Sequence, residues 1–407
     1  MSRTFDVAVI GAGIVGLATA LRLMERHPRL RLAVVDKEAR VASHQTGHNS
    51  GVVHRGVYYA PGSLKARLCT QGAEEIAAYC DAHGIEVHEV GKVIVALNEA
   101  EVPALEELHR RAAENGVPGI RMIGRAELHE LEPHAAGVQA LHSPRTAVVD
   151  FAAVAGAFAA DVVARGGELR LATEVTGVED AGDHVSLHTS GETVTARSVI
   201  ACAGLQSDRV VALSDRAAGR KLRIVPFRGD YYVLRPERRH LVRGLIYPVP
   251  DPRFPFLGVH FTVRHDGDVW AGPNAVLALR REGYGRFSVS MRDTVDTITY
   301  GGFWRLAARH WRYGLAEIWR DYVRLAFVRA LQRYVPEVRS ADLVPGPSGV
   351  RAQALAADGS LVDDFVVDRV GRVLHVRNAP SPAATSSLAI GSFIADRAET
   401  ELGVGGH

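Results

Sequence analysis

A glycine-rich turn between a predicted strand and a predicted helix constrains the fold of this chain more than any other feature. Residues Phe5–Ile10 form a short apolar run typical of a buried parallel strand. Residues Ile14–Arg26 carry apolar side chains at helical spacing, and the turn between the two has the sequence GAGIVG. A second strand is predicted over residues 30–35 and ends at Asp36. The order strand, glycine turn, helix, strand and acid predicts a β-α-β nucleotide-binding unit of an α/β fold.

Each glycine of the turn has a physical role in holding a dinucleotide. Gly11 permits the tight turn, Gly13 lets the backbone approach a pyrophosphate, and Gly16 lets the helix pack closely on the strand. The first N–H groups of the helix favour the phosphates, while Asp36 can accept hydrogen bonds from a ribose. The context therefore favours dinucleotide binding over a purely structural turn, without separating FAD from NAD.

A polar loop after the acid bears on which of these cofactors is bound. Residues 44–59, with the sequence HQTGHNSGVVHRGVYY, hold small residues, Asn, Ser and three histidines. Backbone N–H groups of such a loop can lie along a flavin and its diphosphate, whereas an NAD domain normally continues into another helix. The loop therefore favours FAD, and the alternative is a polar surface loop with scattered histidines.

The composition indicates a folded enzyme and excludes several other classes. The 407 residues are 47% hydrophobic and 23% charged, enough for two or three domains or one interleaved pair. A formal net charge of +2 gives no argument for a nucleic-acid partner. Three cysteines without metal-ligand spacing predict neither a disulfide framework nor a metal site, and they favour a reducing compartment.

The apolar patterning predicts no membrane span. No apolar run reaches the roughly 18 residues that a transmembrane helix needs, and the N-terminus enters a strand pattern without a basic, cleavable signal segment. We therefore expect a cytoplasmic protein. Peripheral attachment to the inner face of the cell membrane is an option raised by a helical region described below.

Elements of β-α-β type occur at both ends and in the middle of the chain, with alternating antiparallel strand patterns between them. This order predicts an α/β fold in which a discontinuous Rossmann-like FAD-binding domain is interrupted by an antiparallel-sheet-plus-helix substrate domain. We assign residues 1–85, 145–215 and 345–407 to the FAD-binding domain. Residues 86–144 and 216–344 form the substrate domain, including a basic helical segment over 303–335.

Several sequence blocks resemble one family of flavoenzymes. Besides the glycine turn and the polar loop, they are PGSLKA at 61–66, PFRGDY at 226–231, IYPVPDP at 246–252, PFLGVH at 255–260, GVRAQ at 349–353 and NAPSPAATS at 378–386. Together they resemble the L-2-hydroxyglutarate dehydrogenases of the D-amino-acid-oxidase-type FAD superfamily. The resemblance implies FAD, held non-covalently, and oxidation of L-2-hydroxyglutarate to 2-oxoglutarate with electrons passed to a quinone or another acceptor.

Oxidation of an α-hydroxy acid needs a base for the hydroxyl proton, and histidine is the natural candidate near neutral pH. The resemblance places His260, in a predicted strand of the substrate domain, beside the site. His54 follows the flavin loop and is the rival base. The alternative for either residue is a satisfied core histidine, and the sequence does not decide between the two.

The two carboxylates of such a substrate need cationic partners, and guanidinium groups bind carboxylates in a bidentate way. Arg351 resembles the superfamily arginine that binds the α-carboxylate, which makes it a candidate catalytic and substrate-binding residue. Arg228 and Arg55 are candidates for the distal carboxylate, and Tyr247 resembles a pocket tyrosine of related amine oxidases. The alternative for any one of the 44 arginines is a solvated surface charge.

The remaining candidates are residues implied to contact FAD. They belong to the glycine turn, the acid and its neighbour, the polar loop, three isolated positions and the segment before the last helix. They are Gly11, Gly13, Ile14, Val15, Gly16, Asp36, Lys37, Thr46, Gly47, His48, Asn49, Ser50, Gly51, Val175, Gly204, Arg351, Pro380, Ser381, Ala383, Ala384 and Thr385. His48 also resembles the flavin-linked histidine of dimethylglycine-type relatives, so a covalent bond is the alternative to non-covalent binding.

The helical region at 303–335 is basic and amphipathic. It carries seven arginines against Glu317 and Asp321, and its apolar stripe includes Trp304 and Trp311. Such a helix can lie on an anionic membrane surface. The alternative is a helix packed on its own domain with its arginines in solvent, divided near Gly314.

Three functions remain open from the sequence. The first is FAD-dependent oxidation of L-2-hydroxyglutarate. The second is an amino-acid or glycine-type oxidase on the same scaffold, and the third is a non-catalytic flavoprotein that binds a partner through its Arg-rich helices. Reduction of the flavin by a hydroxy acid, by an amine or by neither distinguishes them.

Overall fold

The computed structural model of the chain describes residues 4–250 and 257–406. Parts of the IYPVPDP and PFLGVH blocks, which carried some of the sequence resemblance, therefore lie outside the described residues. Within these ranges, each helix is either too short or too polar to cross a bilayer.

The described residues contain twenty strands and eleven α-helices. The strands are β1 Phe5–Ile10, β2 Leu32–Val35, β3 Val52–Val53, β4 His88–Glu89, β5 Lys92–Ala96, β6 Arg121–Gly124, β7 Gln139–Ser143, β8 Ala147–Val148, β9 Glu168–Arg170, β10 Val175–Asp180, β11 Val185–Thr189, β12 Val194–Ala201, β13 Leu222–Leu234, β14 Leu245–Pro248, β15 His260–Val263, β16 Val269–Gly272, β17 Val276–Leu277, β18 Leu343–Ala356, β19 Val366–Val370 and β20 Val373–Asn378. The helices are α1 Ile14–Arg26, α2 Leu64–Ala82, α3 Val102–Glu114, α4 Arg125–Leu131, α5 Phe151–Ala164, α6 Ser207–Ser214, α7 Arg216–Lys221, α8 Met291–Ile298, α9 Gly301–Tyr322, α10 Arg324–Gln332 and α11 Ser387–Leu402.

The first sheet is built around β1, which lies parallel to β2 on one side and to β12 on the other. β9 pairs in parallel with β2, and β20 pairs in parallel with β12. Helices α1, α5 and α11 contribute to one apolar core with these strands, in which Leu17, Phe158 and Ile394 are fully buried. Burial on both faces explains why β1 and β2 are continuous apolar runs. The Rossmann-like, doubly covered sheet predicted from the sequence is thereby confirmed.

The second sheet has nine described strands in the order β17-β13-β16-β15-β14-β5-β7-β6, with β18 beside β13. Its described pairs are antiparallel except β14 with β5. The inserted antiparallel sheet is therefore confirmed. One detail differs: residues 345–356, assigned to the FAD-binding domain from the sequence, continue β18 along β13 in the second sheet. That pairing joins segments more than a hundred residues apart, which no local pattern reveals.

The basic helical region also differs from its prediction. Two helices, α9 and α10, meet at Val323, and α9 bends at His310, whose backbone is not helical (φ −122°, ψ 19°). Gly314 remains inside α9, so the predicted division there was wrong. Val323 is extended, a conformation that suits a β-branched residue. Trp304 and Trp311, which belong to the predicted apolar stripe, are 58% and 55% exposed. Most of the stripe therefore faces solvent.

Candidate active site

A cavity of about 1100 Å³ is lined by residues of both sheets. Its walls include the glycine turn after β1, the polar loop at 44–59, the segment before α11, and residues of β13, β14, β15 and β18. The cavity is slightly larger than a typical small-ligand site, as expected for a dinucleotide together with a substrate. The sites predicted from separate sequence blocks therefore meet in one place.

The glycine turn lies against the chain that follows β12. Gly11 has φ +109°, and a Cβ atom there would lie 2.5 Å from the carbonyl oxygen of Cys202. A Cβ atom on Gly16 would lie 2.0 Å from the carbonyl oxygen of Gly11. Any side chain at either position would force the turn open, so the motif is a steric requirement of this fold. The Ile14 N–H at the start of α1 donates to Thr46 Oγ1 at 3.0 Å, which attaches the polar loop to the turn.

Asp36 lines the cavity at the end of β2, where the sequence predicted a ribose contact. Its Oδ2 accepts a hydrogen bond from the Ala12 N–H at 2.6 Å, and its Oδ1 accepts from the Glu38 N–H at 2.8 Å. The carboxylate therefore holds the glycine turn in place as well as facing the cavity. Its remaining lone pairs are available to ribose hydroxyls.

Lys37 also lines the cavity, but its ammonium group pairs with protein carboxylates. Its Nζ atom lies 2.8 Å from Glu38 and 2.6 Å from Glu282. His44 Nε2 lies 2.9 Å from the same Glu38 carboxylate, so a histidine and two acids are close enough to hold a metal ion. Because a lysine cation already lies between the two carboxylates, we do not assign a metal to this cluster.

The polar loop is folded by its own hydrogen bonds. Asn49 Nδ2 donates to the carbonyl oxygens of Gln45 and Thr46 at 3.1 and 2.6 Å, and Asn49 Oδ1 accepts from the Gly51 N–H at 2.8 Å. The ring of His48 stacks on Tyr284 with centroids 3.6 Å apart, and its Nδ1 donates to the Ser348 carbonyl at 3.3 Å. These contacts hold the loop as one wall of the cavity.

Most residues predicted to contact FAD line the cavity, including Val175, Gly204, Ser50 and the predicted positions of the 380–385 segment. Three glycines do not: Gly16, Gly47 and Gly51 are absent from the lining. A Cβ atom on Gly47 would lie 2.6 Å from the Ala42 carbonyl oxygen, and one on Gly51 would lie 2.9 Å from that of Val149. They are glycine because protein backbone approaches them closely.

The two candidate bases, His54 and His260, both line the cavity, but their protons are held differently. His260 Nδ1 lies 2.9 Å from the carbonyl oxygen of Gly258. A carbonyl only accepts, so Nδ1 carries the proton and Nε2 has a free lone pair. The buried Nδ1 of His54 has no hydrogen-bond partner among the residues that the structure describes. Burial, and then nearby cations, lowers the pKa of each histidine to about 3, so both are neutral at pH 7.

Arg351 and Tyr247 lie at the same end of the cavity as these histidines. Arg351 is on β18, and its charge contributes to the lowered pKa of both His54 and His260. Tyr247, on β14, has its ring centroid 3.9 Å from that of His260. An arginine, a tyrosine and two histidines named from the sequence therefore lie together at one end of the cavity.

The two arginines predicted for the distal carboxylate lie elsewhere. Arg228 does not line the cavity, and its guanidinium group is paired with Asp230 at 2.8 Å and with Asp321 at 3.3 Å. Arg55 is buried, donates to the carbonyl oxygen of Arg145 at 2.7 Å and pairs with Glu74. Each group is already satisfied by protein acceptors, so these two assignments were wrong.

Sequence reasoning missed several residues at this end of the cavity. Lys65, Tyr58, Tyr59 and Tyr231 line it, and Lys92 lies behind Tyr58 and Tyr247. Lys65 lay inside a block that supported the family resemblance. A second signal was available in the composition: only four lysines occur among 48 basic residues, so each lysine departs from the strong preference of this chain for arginine.

Comparison with known proteins agrees with this site. Residues 6–397 match the family model described as FAD dependent oxidoreductase. The chain is 49% identical to a mitochondrial L-2-hydroxyglutarate dehydrogenase of Nematostella vectensis, covering 98% of this chain and 91% of that protein. It is 48% identical to the human protein of the same name, covering 98% and 89%. It is 45% identical to an L-2-hydroxyglutarate dehydrogenase of Indibacter alkaliphilus, covering 96% and 98%.

Solved structures share the fold at lower identity. The L-α-glycerophosphate oxidase of Mycoplasma pneumoniae, whose structure has FAD bound, gives a TM-score of 0.77 at 21% identity, covering 97% of this chain and 94% of that one. A glycine oxidase of Geobacillus kaustophilus gives 0.72 at 20% identity, covering 98% and 95%. The glycine turn, the close approach at Gly11 and the cavity fit the cofactor that defines the family. The chain belongs to the FAD dependent oxidoreductase family.

Proposed function

We propose that this protein oxidises L-2-hydroxyglutarate to 2-oxoglutarate. The observation that carries the proposal is the substrate end of the cavity, where Arg351 and Lys65 lie near two neutral histidines. Cations bind a diacid, and an unprotonated histidine can accept the hydroxyl proton. The names of relatives 45–49% identical over nearly the whole chain support the same substrate.

Bound FAD supplies the acceptor for the hydride that leaves the hydroxyl-bearing carbon. His260 takes the hydroxyl proton at Nε2, because its Nδ1 proton is committed to the Gly258 carbonyl. Arg351 binds the carboxylate next to that carbon, and Tyr247 packs against the His260 ring and holds it in one orientation. Among the described residues, two buried polar atoms at this end, Tyr58 Oη and His54 Nδ1, have no hydrogen-bond partner.

We propose that FAD is held non-covalently. His48, the residue that raised a covalent alternative, has its ring stacked face to face on Tyr284, with 6° between the ring planes. Acid precipitation of the purified protein tests this directly. The expected result is a yellow supernatant over a colourless pellet, and yellow colour retained in the pellet would contradict it.

The electrons are passed, in this proposal, to a quinone or another acceptor at an anionic membrane surface. Of the fourteen large apolar side chains most exposed in the described residues, thirteen lie between positions 279 and 325. Trp304, Trp311 and Trp319 are among them. The acids of α9, Glu317 and Asp321, are buried, so the outer face of this region is left basic. Aromatic side chains beside arginines are typical of a protein that lies on anionic lipid.

Anaerobic titration followed by flavin absorbance tests the function. L-2-hydroxyglutarate is expected to bleach the flavin, while its D-isomer, L-lactate and glycine are not. Reduction by glycine would favour the amino-acid or glycine-type oxidase instead. Failure of all four compounds to reduce a fully loaded flavoprotein would favour a non-catalytic role.

A further inference from the structure

Lys92 is a buried lysine that neither the cofactor site nor the proposed chemistry uses. It is the first residue of β5, it is 1% exposed, and its backbone pairs with Leu245 and Ser143 of the neighbouring strands. Lysine is among the residues that are almost never fully buried unless they are paired, because taking the ammonium group out of water is costly.

The surroundings of Lys92 provide no opposing charge. Among the described residues, none of the recorded ion pairs includes Lys92, and the neighbour that favours its charged form is the thiol of Cys69. That thiol is itself neutral near pH 7, because burial raises its pKa to about 12. Burial lowers the pKa of Lys92 to about 8, so the ammonium group still carries its charge in most molecules at pH 7.

The Lys92 ammonium group lies directly behind the substrate end of the cavity. Its Nζ atom is 4.8 Å from the ring centroid of Tyr58 and 5.4 Å from that of Tyr247, and both rings line the cavity. Its charge also contributes to the lowered pKa values of His54 and His260, which places both histidines within its field. The Tyr58 hydroxyl oxygen is buried and has no hydrogen-bond partner among the described residues.

We propose that Lys92 is a specificity-determining residue, whose buried charge favours a substrate that carries a second carboxylate over one with a single carboxylate. Arg228 and Arg55, the arginines expected to perform this task, are paired with protein acids. Lys92 acts through the field it imposes from behind Tyr58 and Tyr247, since it does not itself line the cavity. The proposal rests on the proposed function and names a residue that selects the diacid.

The test compares a diacid and a monoacid of equal chain length on the FAD-loaded enzyme. Dissociation constants for 2-oxoglutarate and 2-oxovalerate are measured by perturbation of the flavin spectrum in the wild type, in Lys92→Met and in Lys221→Met. Methionine keeps most of the aliphatic stem and removes the charge, while Lys221 is an exposed lysine of α7 that serves as the matched control. Lys92→Met is expected to weaken 2-oxoglutarate binding at least about tenfold and 2-oxovalerate binding less than about threefold. Lys221→Met is expected to change neither.

An equal loss for both ligands, or no loss for either, would overturn the proposal. Folding is monitored by thermal unfolding of the same FAD-loaded samples. Replacement of an unpaired buried charge by an apolar residue of similar size is expected to leave the melting temperature unchanged or raise it. A large drop in melting temperature together with parallel loss of both ligands would assign Lys92 a structural role. If the wild type binds 2-oxoglutarate but is not reduced by L-2-hydroxyglutarate, the proposed function fails instead.

Discussion

At the scale of single residues, hydrogen bonding separates two histidines that the sequence left equivalent. Both His54 and His260 are neutral because burial lowers their pKa to about 3. Only His260 has its Nδ1 proton fixed, by the carbonyl oxygen of Gly258 at 2.9 Å, so that Nε2 is the accepting atom. A backbone carbonyl two residues earlier is a contact that periodicity cannot indicate, which explains why the sequence left both candidates open.

The substitution His260→Ala removes the imidazole. It is therefore expected to slow the reduction of the flavin by L-2-hydroxyglutarate about 100-fold or more, the usual range for loss of a general base. His54→Ala is expected to have a smaller effect on the rate, because in the proposed mechanism this residue does not take the hydroxyl proton. Stopped-flow absorbance under anaerobic conditions measures both rates. Retention of fast reduction in His260→Ala would contradict the assignment.

The same pKa shift gives a pH dependence for catalysis. A free-enzyme base with a pKa of about 3 is unprotonated throughout the neutral range, so kcat/KM is expected to stay level from about pH 5 to about pH 7. A base with the usual histidine pKa would instead give a tenfold loss per unit at the acid end. Measurement of kcat/KM across this range distinguishes the two, and a fall centred near about pH 6.5 would contradict the buried-histidine assignment.

A third buried histidine, His375 of β20, connects pH to stability. It is 1% exposed, both ring nitrogens lack hydrogen-bond partners in the described part of the chain, and burial lowers its pKa to about 4. Between about pH 6.5 and pH 4 the unfolded chain binds a proton at this residue that the folded protein does not. Its contribution to stability is therefore full above about pH 6.5 and is lost as the pH falls towards 4.

The wild type is expected to lose unfolding free energy between about pH 7.5 and pH 5. In His375→Leu this loss is expected to be about 2 kcal/mol smaller. Chemical denaturation of the FAD-loaded proteins at the two pH values gives the comparison. An exposed histidine, His129→Leu, provides the matched control and is expected to leave the pH dependence unchanged. Equal pH dependence in the wild type and His375→Leu would show that this residue does not titrate as described.

At the scale of elements, the sequence predicted the strands, turns and helices that local patterns determine. The unit of β1, the glycine turn and α1 was predictable because the apolar run, the glycine spacing and the helical periodicity all occur within 22 consecutive residues. The pairing of β18 with β13 and the bend of α9 at His310 were not, because they depend on partners far away in sequence. The same reason explains Arg228, whose partner Asp321 lies 93 residues away.

The exposed apolar face of α9 gives a prediction at this scale. The triple variant Trp304→Ser, Trp311→Ser, Trp319→Ser is expected to lose most of its co-sedimentation with phosphatidylglycerol-containing vesicles at low salt, because aromatic insertion and arginine charge act together. Val163→Ser, at the one comparably exposed large apolar residue of the described chain outside this region, is expected to bind vesicles as the wild type does. Absence of wild-type binding to anionic vesicles at low salt would contradict the surface proposal.

At the scale of the whole molecule, the site exists only because two sheets meet. The first sheet brings the glycine turn and Asp36, while the second brings His260 and Arg351. The polar loop is attached to the segment before α11, since the Thr385 hydroxyl donates to the Val52 carbonyl at 3.2 Å and accepts from the His54 N–H at 3.1 Å. Sequence blocks indicated the members of this site, but only the fold shows which of the charged residues face the cavity.

One measurement tests the central claim, that this cavity holds FAD and a five-carbon hydroxy diacid together. Purified protein is mixed anaerobically with excess L-2-hydroxyglutarate, and both the flavin spectrum and the released product are quantified. The expected result is a yellow protein that is bleached, with one 2-oxoglutarate formed for each FAD reduced. Protein that takes up no FAD, or that keeps its flavin oxidised and yields no 2-oxoglutarate, would contradict it.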